Sequence, residues 1–142
     1  MPGSLLIRPA VASDAAAISV LLGQLGYPTS PEGIPMRLAA LTVPSVALVA
    51  ERDSAVIGVV TAHAISAMHS PLPVAWLTML VVAEAVRGGG VGRELVAHAE
   101  RWARSVGAAR ISVTSGTLRN DAHEFYQRIG YAKTGVRFGK TF

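Results

Sequence analysis

Four glycines stand within five residues, Gly88-Gly89-Gly90-Val91-Gly92, directly after Arg87, and the two flanks of this run are of different character. Before it, the apolar stretch from Val74 ends in Leu80-Val81-Val82. After it, Val91, Leu95, Ala99, Trp102, Ala103 and Val106 recur at helical spacing up to Gly107, with Glu94, Arg101 and Arg104 largely opposite. The pattern predicts a buried strand, a tight loop and an amphipathic helix, the unit of an α/β chain. Glycines clear the approach to backbone N–H groups, and a helix start adds unpaired N–H groups and a favourable dipole. Arg87 contributes a fixed charge with planar donors. A diphosphate matches such a cradle. The alternative is a plain flexible turn, which does not call for four glycines in five residues.

Two familiar phosphate loops fail on this segment. A P-loop needs a lysine and then Ser or Thr after its last glycine, and Arg93-Glu94 follows Gly92. A dinucleotide fingerprint accepts Gly88 and Gly90 but finds Arg93 in the place of its third glycine, and it belongs on an early strand.

The rest of the chain alternates strand and helix signals. Residues 5–9 read as a strand closed by Pro9. Ser13 offers an N-cap and Asp14 a first-turn acid for a helix with Ile18, Leu21, Leu22 and Leu25, stopped by Gly26. A turn-rich connection over 27–35 leads to a short helix at 36–41. Residues 45–51 and 56–65 predict two strands joined by Arg52-Asp53-Ser54, with Gly58 marking a bulge or a close backbone approach. A strand at 109–113 follows the amphipathic helix. Asn120 or Asp121 then caps a helix with Ala122, Phe125, Tyr126 and Ile129, stopped by Gly130, and residues 131–142 suggest a closing strand pair turning near Gly135. Neither a repeat nor a linker interrupts the order, so one domain over 1–142 is expected.

Composition removes several classes of function. With 51% apolar and 15% charged residues among 142, one large core is available. There is no cysteine, which excludes disulfides, thiolate metal sites and a cysteine nucleophile and suits a reducing cytosol. The N-terminal apolar run is too short for a signal sequence. Polar residues and prolines from Thr61 to Pro73 break the long apolar stretch below the ~20 residues of a membrane helix. A cytoplasmic protein without membrane partner is expected. The net charge of +4, carried mostly by arginine, suits a polyanionic ligand or simply a solvated surface. No basic run with interleaved aromatics points to nucleic acid.

The spacing R-x-x-G-x-G, Arg87, Gly90 and Gly92, together with Ala122, Phe125, Tyr126, Gly130 and Tyr131 in the pattern A-x-x-F-Y-x-x-x-G-F/Y, resembles the GNAT superfamily of acyl-coenzyme A-dependent N-acyltransferases. The resemblance runs over nearly the whole length. It implies a single-domain α/β fold in which a mixed central sheet of about six to seven strands, with about four helices, splays around the cofactor. Acetyl-coenzyme A is then the implied cosubstrate. Arg87, Gly88, Gly89, Gly90, Val91 and Gly92 would hold its pyrophosphate. Backbone groups of Leu80, Val81 and Val82 would bond the pantetheine arm while their side chains pack in the core. Asn120 would bond the pantetheine amides or serve only as the helix cap.

The implied reaction is direct attack of a primary amine on the thioester, with no covalent enzyme intermediate and no metal. Tyr126 is the implied general acid toward the departing thiolate; otherwise it is a core aromatic beside Phe125. Many family members carry an acidic residue just before the strand run that here reads Leu80-Val81-Val82, whereas this chain has Thr78 and Met79. The base is therefore open among His63, His69, His123 and a water chain, while Glu84 and Glu94 read as surface charges. The segments that would surround the acceptor hold one acid, Glu32, which favours a neutral or anionic small amine, or a peptide N-terminus, over a polycation. A homodimer is compatible with the resemblance. A non-catalytic acyl-coenzyme A-binding or regulatory module is the alternative, motivated by the missing carboxylate.

Overall fold

A helix must find partners for its first N–H groups. In the computed structural model, which describes residues 3–42, 44–114 and 120–142 (Asn120 by its backbone alone), Asp14 closes the 3-10 turn Ala12–Asp14 that leads into α1 (Ala15–Leu25). Its carboxylate accepts the Val11 N–H at 2.8 Å and a bidentate pair of bonds from Arg8, both at 2.9 Å. Arg8 lies on β1 (Leu6–Pro9) and also reaches Glu51 at 3.2 Å. Asp14 is buried, whereas Ser13, the expected cap, is exposed. Hydrogen bonding from Arg8, and less so the Val11 N–H, holds the Asp14 carboxyl below the ordinary aspartate value against the opposing effect of burial. Gly26, at φ 103°, ends α1 as the sequence predicts.

Pro31 and Pro35 both open helical turns instead of blocking them, since proline is tolerated in a first turn. A 3-10 turn at Pro31–Gly33 therefore runs into α2 (Ile34–Ala39), earlier than expected from the apolar spacing.

β2 (Ser45–Arg52) and β3 (Ala55–Ile65) form a hairpin through Asp53 and Ser54, both at positive φ, which matches the right-handed twist of paired strands. β4 (Val74–Val82) lies beside β3, then α3 (Val91–Ser105) leads to β5 (Arg110–Val113). The sheet order is β1-β2-β3-β4-β5, and the first three pairings are antiparallel. The helical crossover brings β5 back in the direction of β4, with the Ala109 N–H bonded to the Pro73 carbonyl at 2.9 Å where both strands begin.

Each face of the sheet has its own helix. Ile18, Leu21 and Ile34 pack on Val49, Val59 and Val81 on one face. On the other, Ala103 of α3 meets Ala64 and Ala75, and Val91, Leu95, Val96 and Ala99 are buried as well. Gly58 makes that second layer possible. A Cβ there would come within 2.8 Å of Leu95 Cδ1 and 3.3 Å of Val91 Cγ1. The β2–β3 register also shifts next to it, with Ala50 opposite Gly58 and Glu51 opposite Val56. Both sequence readings of Gly58, bulge and close approach, are therefore realised.

The chain divides into two compact units, residues 1–112 and 113–142. The second contains α4 (Asn120–Arg128), followed by Gly130 at φ 101°. Here the expectation of six to seven strands is corrected to five among the described residues. Residues 132–142 form no strand and are exposed throughout, with Phe138 and Phe142 almost fully so. Alternation of Val136 and Phe138 makes a strand-like pattern, but a strand exists only where a neighbour answers its backbone.

Candidate functional site

The glycine loop stands where the sequence puts it, between the end of β4 and the start of α3. Its approach is tied at several points. The Ala83 N–H bonds the Ile57 carbonyl at 2.9 Å, and the Glu84 N–H bonds the side-chain oxygen of Gln24 at 3.0 Å. A 3-10 turn then covers Glu84–Val86. Arg87 folds back so that its Nε donates to the Val82 carbonyl at 3.1 Å, joining the loop to the end of the strand. This bond uses Nε alone, so the two terminal nitrogens keep their donors for an anion.

Gly88 and Gly90 have φ of 86° and 89°, a region that favours glycine, and a Cβ at either would meet nothing within 4 Å. The space in front of them is open. Gly90 caps α3 with its carbonyl bonded to the Glu94 N–H at 3.1 Å, while Val91 anchors the helix start in the core at 1% exposure. The N–H groups ahead of Glu94 thus border the open side of a 15-residue helix. Loop, helix start and Arg87 fit a diphosphate.

Leu80, Val81 and Val82 occupy the last three places of β4, with Val81 buried and its neighbours half-buried. They pair with Val60, Val59 and Gly58 of β3 along one edge. Strand β5 has four residues against nine in β4, and the two begin together, so the β5-facing edge at the end of β4 extends past β5. An extended ligand arm can bond that edge as an added strand.

A bulge divides β4. Thr61 stands opposite Met79 and Ala62 opposite Leu77, which leaves Thr78 as the extra residue. Consequently Ala75 packs beside α3, but Met79 and Val81, an even number of residues later, pack with the α1 cluster on the opposite face. Thr78 is exposed, and its hydroxyl lies 2.7 Å from the Thr61 hydroxyl on β3. This pair was not evident in the sequence, where Thr61 reads only as a break in an apolar run. Gln24 was missed for the same reason, its contact being made 60 residues along the chain.

Tyr126 belongs to the second unit. It is half-buried on α4, with its ring 5.2 Å from Phe125 in an edge-on contact and 5.6 Å from Tyr131. Asn120 is the first residue of that helix, and its side chain lies outside the described residues. Of the candidate bases, His63 is half-buried on β3, His69 is exposed in the following loop, and His123 is half-buried on α4. Among the described residues, no group of three His, Cys, Asp or Glu side chains can hold a metal, and no helix is long and apolar enough to cross a membrane.

Comparison with known proteins agrees with this fold. The aminoalkylphosphonate N-acetyltransferase of Salmonella typhimurium is 35% identical over 89 residues, 63% of this chain and 58% of the relative. The chain spans about half the length of the curated relatives it matches. A transcriptional regulator from Bacillus halodurans C-125 has a similar solved structure, with TM-score 0.87 and 20% identity, covering 98% of this chain and all of that one. Aminoglycoside N-acetyltransferase AAC(6')-Iy in complex with CoA superposes with TM-score 0.84 at 19% identity, covering 97% of this chain and 95% of that one. The family model described as Acetyltransferase (GNAT) family matches residues 21–131, which include β4, the glycine loop, α3 and α4. The chain belongs to the GNAT acetyltransferase family.

Proposed function

We propose that this chain transfers an acetyl group from acetyl-coenzyme A to a primary amine by direct attack. The observation that carries the reading is the open, left-handed glycine pair Gly88 and Gly90 at the start of α3, tied to the end of β4 through Arg87. Arg87 and the N–H groups of Gly88 to Gly92 take the pyrophosphate. Backbone groups of Leu80, Val81 and Val82 bond the pantetheine amides, with Asn120 as a further partner. Tyr126 donates its phenolic proton to the departing thiolate, a role that contributes roughly 10²–10⁴-fold for a positioned acid.

The acceptor is a small amine of neutral or anionic character. Support comes from the scarcity of acids in the segments flanking the acceptor: Glu32 is exposed and bonded to Ser30. The aminoalkylphosphonate in the name of the Salmonella relative has this character. A peptide N-terminus held by its backbone is the competing acceptor. Calorimetric titration with acetyl-coenzyme A tests the cofactor assignment, which is lost if nothing binds at millimolar concentration or if Gly90→Asp binds as the parent does. For the acid, Tyr126→Phe is expected to lower kcat about 10²-fold with little change in cofactor Kd. Equal turnover rejects that role.

One observation favours a second reading. The bulge residue is Thr78, whose neighbour is another hydroxyl, Thr61, and neither accepts a proton near neutral pH. A non-catalytic acyl-coenzyme A-binding module needs no base. Slow hydrolysis without transfer to any of a broad panel of amines supports it, and rapid turnover with any one dismisses it.

A further inference from the structure

We propose that the Thr78 and Thr61 hydroxyls pass the proton of the acceptor amine to His63, which holds it after attack. The proposal rests on the acyl-transfer reading above and adds to it that the amine attacks beside the β4 bulge.

A threonine hydroxyl that accepts a proton must give one up, so a hydroxyl pair serves acyl transfer only as a relay to a group that can keep it. Thr78 is exposed and belongs to neither packed face of β4, and its oxygen is 2.7 Å from that of Thr61. His63 follows Thr61 by two residues on β3, hence on the same face, about 7 Å along the strand. Ala62 and Ala64, between and beyond them, are buried, Ala64 beside α3. In the proposed relay a bridging water completes the path from Thr61 to the imidazole. His63 is half-buried, and its ring makes no hydrogen bond among the described residues. It stands opposite Trp76 on β4 and Ser45 on β2.

Other charges do not compete at this end of the face. Its strand neighbours Ser45, Ala47, Trp76 and Met79 are uncharged, and α1 carries no ionisable side chain. Along the chain His69, in the β3–β4 loop, is the nearest ionisable side chain, and it is exposed, as are Glu32 and Arg37 in the 3-10 turn and α2. Histidine is the side chain that ordinarily exchanges a proton near neutral pH.

In the step itself, the amine nitrogen bonds to the thioester carbon and its N–H bond breaks, the electron pair staying on nitrogen. Thr78 Oγ1 takes that proton and releases its own to Thr61 Oγ1. Thr61 does the same toward the bridging water, and the water toward the imidazole. The thiolate leaves separately, with the proton from Tyr126. His63 is a positioning residue in this scheme, since it acts on the amine through the two hydroxyls.

The test is the pH dependence of kcat, at saturating amine and acetyl-coenzyme A, with two primary amines of well-separated pKa, in the full chain and in His63→Gln, Thr61→Val and Thr61→Ser. The expected result is an acid limb at one pH for both amines, lost in His63→Gln together with at least about tenfold in kcat at neutral pH. Thr61→Val behaves as His63→Gln does, and Thr61→Ser restores the limb, which separates a relay from a packing effect. A limb that moves with the pKa of the amine, or that survives in His63→Gln, overturns the relay and leaves the acyl-transfer reading in place. Absence of transfer by the parent protein to every member of the broad amine panel, while acetyl-coenzyme A still binds, overturns both.

Discussion

Replacing Gly58 by alanine probes the layer between the sheet and α3 with a single methyl group. The new Cβ would lie 2.8 Å from Leu95 Cδ1, 3.3 Å from the Val81 carbonyl oxygen and 3.3 Å from Val91 Cγ1. The first contact is with the end of a side chain, which elsewhere could turn aside. Leu95, however, is 0% exposed, so its rotation displaces other core atoms. The Val81 oxygen is backbone of β4 and cannot yield without moving the strand. Overpacking of this kind costs about 1–3 kcal/mol, and removing a glycine from a strand interior returns about 0.5–1 kcal/mol. The net expectation is about 1–2 kcal/mol lost. With an m-value of about 2 kcal/mol/M, the urea midpoint falls by about 0.5–1 M. Leu95→Ala alone is expected to cost about 2–5 kcal/mol, but in that background the further change Gly58→Ala should cost about 1 kcal/mol less than it does alone, because its closest contact is gone while those to Val81 and Val91 remain. An unchanged midpoint for the single variant, or the same cost in both backgrounds, refutes the argument that Leu95 is what the methyl group meets.

Two further variants separate stability from binding. Gly90→Ala places a Cβ at φ 89° and should lose about 1–2 kcal/mol by denaturation. Gly89→Ala meets only the Val86 carbonyl at 3.4 Å and should stay within about 0.5 kcal/mol of the parent, yet weaken coenzyme A about tenfold by calorimetry where its methyl obstructs the phosphates. Asp14→Asn tests the ion pair with Arg8. Because the folded carboxyl titrates below its unfolded value of about 3.9, its contribution is complete above that pH and disappears as pH falls through the folded value. The variant should therefore be less stable by about 2–3 kcal/mol at neutral pH, and the two denaturation curves should converge in strong acid.

Most of the fold was legible because its signals are local. Glycines at 26, 107 and 130 end helices in left-handed conformations, and the turn at Asp53-Ser54 lies between two apolar runs. The glycine loop was legible as a candidate site because its chemistry lies in the backbone, where the absence of side chains is itself the signal. Contacts between distant segments were not. Nothing in Ser13-Asp14 says that the aspartate, answered by Arg8 from another element, is the buried capping group. Nor does Thr78-Met79-Leu80-Val81-Val82 betray a bulge, since a run apolar on both faces has no alternation for an extra residue to break. The closing strand pair failed for the opposite reason: residues 132–142 have the alternation without a neighbouring strand.

The bulge in β4 has a consequence for how such a fold can diversify. A residue in regular alternation is answerable to one packed layer or the other, so altering its chemistry disturbs that layer. Thr78 is the surplus position at which the strand changes sides, and it is answerable to neither. The backbone thereby keeps one socket whose occupant can be exchanged, hydroxyl for carboxylate or amide, while the core beneath stays as it is. At that residue, side-chain chemistry and thermodynamic stability become separate variables, and selection can act on the first without drawing on the second.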